Sequence, residues 1–442
     1  PETWDELIAL TETIASDGDP AWCIGIESGA ATGWVTTDWM ENIMLRTTSL
    51  ENYDMWVEGE LPFASPEVKN AAETVAEIWL NDDYVFGGVP SIVTTFIGDS
   101  PVPMFTDPPG CWMHVQAPWI QDFFGDEALE AGVDYDFFYM PPIDEAYGKP
   151  VLVAGDVMAM FNDPPEAQAL MAFFSTGAGV EQWVKLGGVI SPHLDSSLDW
   201  YTNDVDRKVA ETILNADSVR FDASDLMPAE VGAGSFWKAT TDWISGSTDL
   251  DTALAEIDAS WPAGETGVES GVPEGEEEEA EETMESTLPE ILERAYAGEF
   301  AGGTVEVLGT MVDEEAAKME ETLKPFEEAT GIDVTYVGTK EFETQMNVRV
   351  DAGDPPHIAN ISQPGLLKSL AADGHVVDVN TFLPNEQLQE TYIQSWLDMA
   401  TVDSPDGSIM GGVWHRVSAK SFVWYPKAKF EEAGYEVPET WD

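Results

Sequence analysis

The sequence predicts an α/β fold built in two lobes, and three observations predict it. The chain has 442 residues, too many for one small core. From Gly302 onward, strand-like and helical stretches alternate. Helical stretches at 165–185 and 207–260 then return after a long intervening segment, so several strands are expected to cross between lobes.

The elements follow in order. TVEVLGT reads as a strand, DEEAAKMEETLKPFEEATG as an amphipathic helix closed by Gly331, and IDVTYVG as a second strand. Together they form a β-α-β unit. The helical FETQMNVRVDAGD, the short strand HIANIS and the helix PGLLKSLAADG continue the pattern. Alternation at this length argues for mostly parallel sheets. WHRVSAKSFVWYPKAKFEEAG then leaves the first lobe and enters the second.

The two ends carry the same five letters, PETWD at 1–5 and at 438–442. At the start, Thr3 and Glu6 read as a capping box and LIALTETIA continues as a helix. At the end the same opening has no helix behind it, so its natural continuation is residue 6 onward. Residues 251–261 read as a terminal amphipathic helix. AGETGVESGVPEGEEEEAEETMES cannot form a core and reads as a tether. The order therefore looks circularly permuted, a window on a tandem array being the alternative. The expected division is 1–150 as most of the second lobe, 151–262 as crossing strands and helices shared by both, and 263–299 as an acidic flexible linker. Residues 300–418 form the first lobe and 419–442 the hinge and start of the second.

Composition excludes several functions. There are 84 acidic and 18 basic residues, a net charge of −66. Residues 263–299 hold 13 acids and one base, so the rest still carries 54 net negative charges. Nucleic acid and anionic lipid need Lys/Arg clusters that this chain lacks. Acid spread so widely resembles proteins working in high salt, where self-repulsion is screened. No run approaches the roughly 20 apolar residues that cross a bilayer. PETWDELIAL has neither the basic nor the apolar region of a secretory leader. Neither GxSxG, HExxH, a Walker A motif nor a Rossmann fingerprint occurs. Two cysteines, Cys23 and Cys111, are too few for a structural zinc site. No metal and no cofactor is expected.

In rotated order the chain resembles the extracellular solute-binding proteins of carbohydrate ABC importers, the maltose-binding-protein-like class, and within it the α-glucoside-binding branch. The segments that carry the resemblance include ETLKPFEEATGIDVTYVG, DAGDPPHIANISQPGLLKSLAADG, SAKSFVWYPKAKFEEAGYEVPETWDEL, WCIGIESGAATGWVTTDWM, KPVLVAGDVMAMFNDPPEAQALMAFF and DLMPAEVGAGSFWKATTDWISG. The resemblance implies a periplasmic-binding-protein-like fold with a hinge and an interlobe cleft. It also implies periplasmic or extracellular location with a surface tether, an ABC permease as partner, and a monomer. In an exported protein Cys23 and Cys111 would pair; two buried thiols are the alternative.

Sugar recognition needs flat apolar faces for the C–H side of a pyranose and planar polar groups for its hydroxyls. The chain has 17 Trp. ESGAATGWVTTDW places Trp34 and Asp38 in or beside a loop, TDPPGCWMH places Asp107 and Trp112 in another, and GAGSFW places Trp237 at a helix start. Core packing is the alternative for each indole, and the resemblance favours stacking for these three. Trp4, Trp79 and Trp183 lie on helical patterns and read as core. Asp156, in the apolar VLVAGDVMAMF, needs a partner: backbone capping or a sugar hydroxyl. Asn360 and Gln363 stand at the carboxyl end of a strand. Trp414 and His415, beside Arg416, precede the crossing strand, with a structural ion pair as the alternative. The leading function is reversible capture of an α-glucoside or similar oligosaccharide, with no bond made or broken. A glycosidase using two cleft carboxylates, or a permuted sensor or structural module, are the alternatives.

Overall fold

A computed structural model describes residues 1–125, 129–264, 266–268 and 288–435. It divides into two compact units. The first comprises Pro1–Val153, Asn203–Ser270 and Ala419–Asp442; the second comprises Ala154–Thr202 and Gly271–Ser418. The repeated PETWD at 438–442 and most of the acidic stretch lie outside the described residues.

The strands among the described residues are β1 (His114–Val115), β2 (Asp136–Tyr139), β3 (Pro150–Met160), β4 (Ser218–Phe221), β5 (Thr304–Gly309), β6 (Asp333–Gly338), β7 (Ile358–Ile361), β8 (Thr401–Ser404), β9 (Gly407–Met410), β10 (Gly412–Ala419) and β11 (Phe422–Tyr425). In the second unit the order is β10-β3-β7-β5-β6. β5 lies parallel to both β6 and β7, with Val307 opposite Tyr336 and Ile358. β3 is antiparallel to β7, with Met158 opposite Asn360. The helix Asp313–Thr330 is the crossover from β5 to β6 that parallel pairing requires. Three acids fill its first turn, where the macrodipole favours negative charge. Met319, Leu323 and Phe326 face the core, and Gly331 ends it at φ +70°.

The acidic stretch gives way earlier than 299. Ile291, Leu292 and Ala295 repeat at helical spacing and are buried on the helix Glu290–Tyr296.

In the first unit β11 lies antiparallel between β1 and β2, with Trp424 opposite both His114 and Phe137. Mostly parallel sheets were expected from the 304–372 alternation, and the first unit departs from that. Its three-stranded sheet is assembled around a segment distant in sequence, and among the described residues joining β1 to β2 the helical piece is the short 3-10 turn Pro118–Phe123. β4 is the exception, parallel to the first residues of β3. The helix Trp34–Thr47 is buried from Val35 to Arg46, including Asp38, Glu41, Asn42 and Arg46. Arg46 donates to the carbonyls of Met140, Pro141 and Pro150. Trp22, Trp39 and Trp79 meet edge to face around it.

Thr3 caps the helix Trp4–Asp17 by accepting from the Glu6 amide. The Glu6 carboxylate accepts from the Glu2 amide at 2.7 Å, so the return half of the box sits one residue early. Cys23 and Cys111 form a disulfide with Cα atoms 5.5 Å apart. Neither ends a regular strand; Trp22 makes isolated bridges to Val85 and Met113 instead.

The disulfide closes a loop across a sequence separation of 88 residues. The double variant Cys23→Ser/Cys111→Ser is expected to lose about 2–4 kcal/mol of stability, read as a lower urea midpoint, with a steeper slope because the unlinked denatured chain exposes more surface.

Candidate functional site

Among the described residues each unit carries a buried cation held by carboxylates, and some of the sequence-predicted residues lie at these two centres.

In the first unit the centre is Lys420. Its ammonium donates to Asp38 Oδ1 at 2.8 Å and Asp222 Oδ2 at 2.6 Å. It also lies 5.0 Å from the centroid of the Trp34 ring, within cation–π range. Its backbone anchors it to β3 and the buried helix: the amide donates to Leu152, and the carbonyl accepts from Asn42. Asp222 is anchored likewise, its amide donating to Val153.

Ser224 links this centre to Trp237. Its hydroxyl donates to Asp222 Oδ1 at 2.8 Å and accepts from Thr37 Oγ1 at 3.1 Å and Trp237 Nε1 at 3.3 Å. One donor and two acceptor positions are thereby filled. Its amide donates to Glu41 Oε1 at 3.0 Å. Two glycines permit the approach. A Cβ on Gly33, which holds φ +117°, would stand 2.3 Å from the Trp237 carbonyl oxygen. One on Gly232, in the π-helical turn Glu230–Phe236 before Trp237, would stand 1.8 Å from the Ser224 carbonyl oxygen.

Trp34 opens the buried helix and remains half-buried. Trp119, also half-buried, lies 6.0 Å from it, and Phe123 and Phe96 continue the row at 5.8 and 6.3 Å. The structure thus brings Trp34, Asp38 and Trp237 together. Trp237 is buried, its ring braced rather than open.

Four carboxylates, Asp38, Glu41, Asp222 and Asp225, are buried around one ammonium. Burial pushes the Asp38 and Glu41 carboxyls well above the ordinary carboxylate range, although Lys420 opposes this. For Asp222 burial acts upward too, but Lys420 and the surrounding hydrogen bonds carry it below. Burial would neutralise Lys420, yet Asp222 and Asp38 hold it charged. Glu41 Oε2 has no hydrogen-bond partner among the described residues. Protons offset part of the surplus, as burial of unpaired charge requires.

In the second unit the centre is Arg416, on β10. Its guanidinium forks between Asp156 of β3 and Glu315 of the crossover helix, the latter at 2.8 Å. It stacks 4.6 Å over Trp183. Ser362 donates to the other Asp156 oxygen at 2.6 Å. Burial disfavours the charge on Arg416, and Asp156 and Glu315 more than restore it. Asn360 donates to Met158 Sδ, and Gln363 to Glu343 Oε1 at 3.3 Å. Asn360 Oδ1, Gln363 Oε1 and Glu343 Oε2 have no partner among the described residues. Each is a buried polar atom that a donor such as a hydroxyl would satisfy.

The remaining expected residues sit elsewhere. Trp112 packs edge to face against Phe430 and Tyr435 and donates to Asp19. Asp107 is exposed, 3.7 Å from Lys429. Trp414 is fully buried and donates to the Trp396 carbonyl at 2.6 Å. His415 is fully buried against Phe174 and Trp183, its Nε2 on the Gly179 carbonyl, and burial lowers it to about 4. Sequence reasoning passed over Lys420, Asp222, Ser224, Glu315 and Trp119. The signal for Lys420 was present: a base beside a crossing strand in a chain with so few.

The arrangement around Lys420 places half-buried aromatic surface beside buried polar groups. Residues 309–442 match the family of bacterial extracellular solute-binding proteins. The osmoprotective compounds-binding protein GgtB of Synechocystis sp. is 46% identical over 265 residues, 59% of this chain and 62% of that protein. The alpha-glucosides-binding periplasmic protein AglE of Rhizobium meliloti is 43% identical over 263 residues, 59% of this chain and 57% of that protein. The chain thus spans about 60% of the length of these curated relatives. No solved structure matches it. Over these matched stretches the chain is similar to bacterial extracellular solute-binding proteins, the class its segments resemble. Among the described residues no helix is long and apolar enough to cross a membrane.

The raised Glu41 sets a pH dependence. A carboxyl with a higher folded than unfolded pKa makes the folded state bind more protons, so stability falls as pH rises above the ordinary carboxylate range. Glu41→Gln removes that loss. Its stability relative to the parent is expected to rise from pH 5 to 9 in urea titrations, whereas a constant offset would show that Glu41 titrates normally.

Proposed function

We propose that this protein reversibly binds an uncharged α-glucoside or similar oligosaccharide and delivers it, as a monomer in the periplasm or at the cell surface, to an ABC permease. The half-buried Trp34 carries this reading: an indole with open surface, flanked by Trp119 and braced from beneath by a buried charge network. Such a ring matches the C–H face of a pyranose. The unpartnered polar atoms of Asn360, Gln363 and Glu343 suit sugar hydroxyls, and the name of one relative, the alpha-glucosides-binding protein AglE, points to the same ligand chemistry.

A thermal-shift panel of mono- and disaccharides including maltose and trehalose tests it. A neutral glucoside is expected to raise the melting temperature and to be recovered intact. Trp34→Ala is expected to weaken that ligand at least tenfold, about 1.4 kcal/mol. Release of glucose, or a panel with no shift, would overturn the reading.

A further inference from the structure

We propose that Lys420 is a positioning and specificity-determining residue: it fixes the Trp34 indole and, by occupying its π-face with a permanent cation, reserves that platform for uncharged rings. This rests on the reading of Trp34 as a ligand surface. The ammonium has little freedom. Asp38 and Asp222 hold it at 2.8 and 2.6 Å, and the Lys420 amide is tied to Leu152 at 2.7 Å. Asp222 is itself held by the Ser224 hydroxyl and the Asp225 amide. The cation 5.0 Å from the Trp34 centroid is thus part of the scaffold.

Two consequences follow for a ligand. The electron-rich faces of an indole attract cations, and Trp34 has already spent that attraction on Lys420. The two nearest carboxylates that could neutralise a ligand ammonium are also spent on Lys420. A sugar stacks through dispersion and C–H contact and needs neither. An amine-bearing ligand meets a fixed ammonium whose two hydrogen-bonded carboxylates are occupied, and the further carboxylate of Glu41 is fully buried, out of a ligand's reach. Among osmoprotective compounds, therefore, this platform selects neutral glycosides over quaternary ammonium solutes such as glycine betaine.

The test is calorimetric titration of the whole protein with trehalose and maltose, their 6-amino-6-deoxy analogues, and glycine betaine. The parent is expected to bind the better neutral disaccharide about tenfold or more tighter than its amine analogue, the scale of one cation–π contact. Lys420→Met is expected to weaken the neutral sugar and narrow or invert that ratio, because Asp38 and Asp222 become free to pair with the ligand amine. Lys420→Arg is expected to restore both. In 19F spectra of 5-fluorotryptophan protein, the Trp34 resonance, assigned with Trp34→Phe, is expected to move in Lys420→Met while those of Trp79 and Trp183 stay. An unchanged ratio in Lys420→Met, or a parent that binds glycine betaine or the amine analogue as tightly as the neutral sugar, overturns the proposal. Should Lys420→Met not fold, the parent ratio and Lys420→Arg still decide it. Trp34→Ala that binds the neutral sugar normally would instead remove the underlying assignment of the platform.

Discussion

The structure depends on how a chain with 66 surplus negative charges brings cations indoors. It has 18 basic residues, and Arg46, Arg416 and Lys420 are buried. Burying a charge costs several kcal/mol unless partners compensate it, so each of the three organises its surroundings. Arg46 gathers backbone carbonyls around the buried helix Trp34–Thr47. Arg416 joins β10 to β3 and to the crossover helix. Lys420 joins the same buried helix to the Asp222–Ser224 turn. Aromatic rings cover two of them, Trp183 over Arg416 and Trp34 over Lys420.

Much of the second unit was legible because its elements carry their own signals. TVEVLGT, the long amphipathic helix and Gly331 fix β5, the crossover and its end, and the parallel register follows from the connection. The first unit was less legible. β1 has two residues and β2 four, too short for periodicity to separate them from loops, and β11 reaches them from more than 280 residues away. The runs around Cys23 and Cys111 are apolar enough to suggest strands, yet Trp22 and Met113 pair only at an isolated bridge.

The site was legible in its aromatic half. Trp34 and Trp237 stood out because glycines surround them, and at Gly33 and Gly232 the backbone closely approaches the Trp237 and Ser224 carbonyls. Asp156 was correctly seen to need a partner, but neither its partner nor that of Asp38 was visible: Lys420 is 382 residues from Asp38, and Arg416 is 260 from Asp156. In a sequence where carboxylates are everywhere, choosing among them carries little information. Choosing among the rare bases carries more, and that logic, applied to Arg416, extends equally to Lys420. Trp414 and His415 drew attention as neighbours of Arg416, but successive residues of a strand point opposite ways, so His415 turns from the guanidinium into packing, while Trp414 is fully buried and gives its N–H to the Trp396 carbonyl.

The two cationic centres solve one electrostatic problem with different chemistry. Arg416 presents a planar fork that satisfies two carboxylates from different elements at once. Lys420 is a point charge beside four carboxylates, and burial raises the Asp38 and Glu41 carboxyls well above the ordinary carboxylate range. This centre lies against the half-buried Trp34 indole. Salt screens surface charges over a few ångströms at high ionic strength but reaches buried pairs far less. A protein with this much surface acid can thus vary in overall stability with salt while the platform over Lys420 keeps its geometry, which is what a binding protein needs if its solvent changes and its ligand does not.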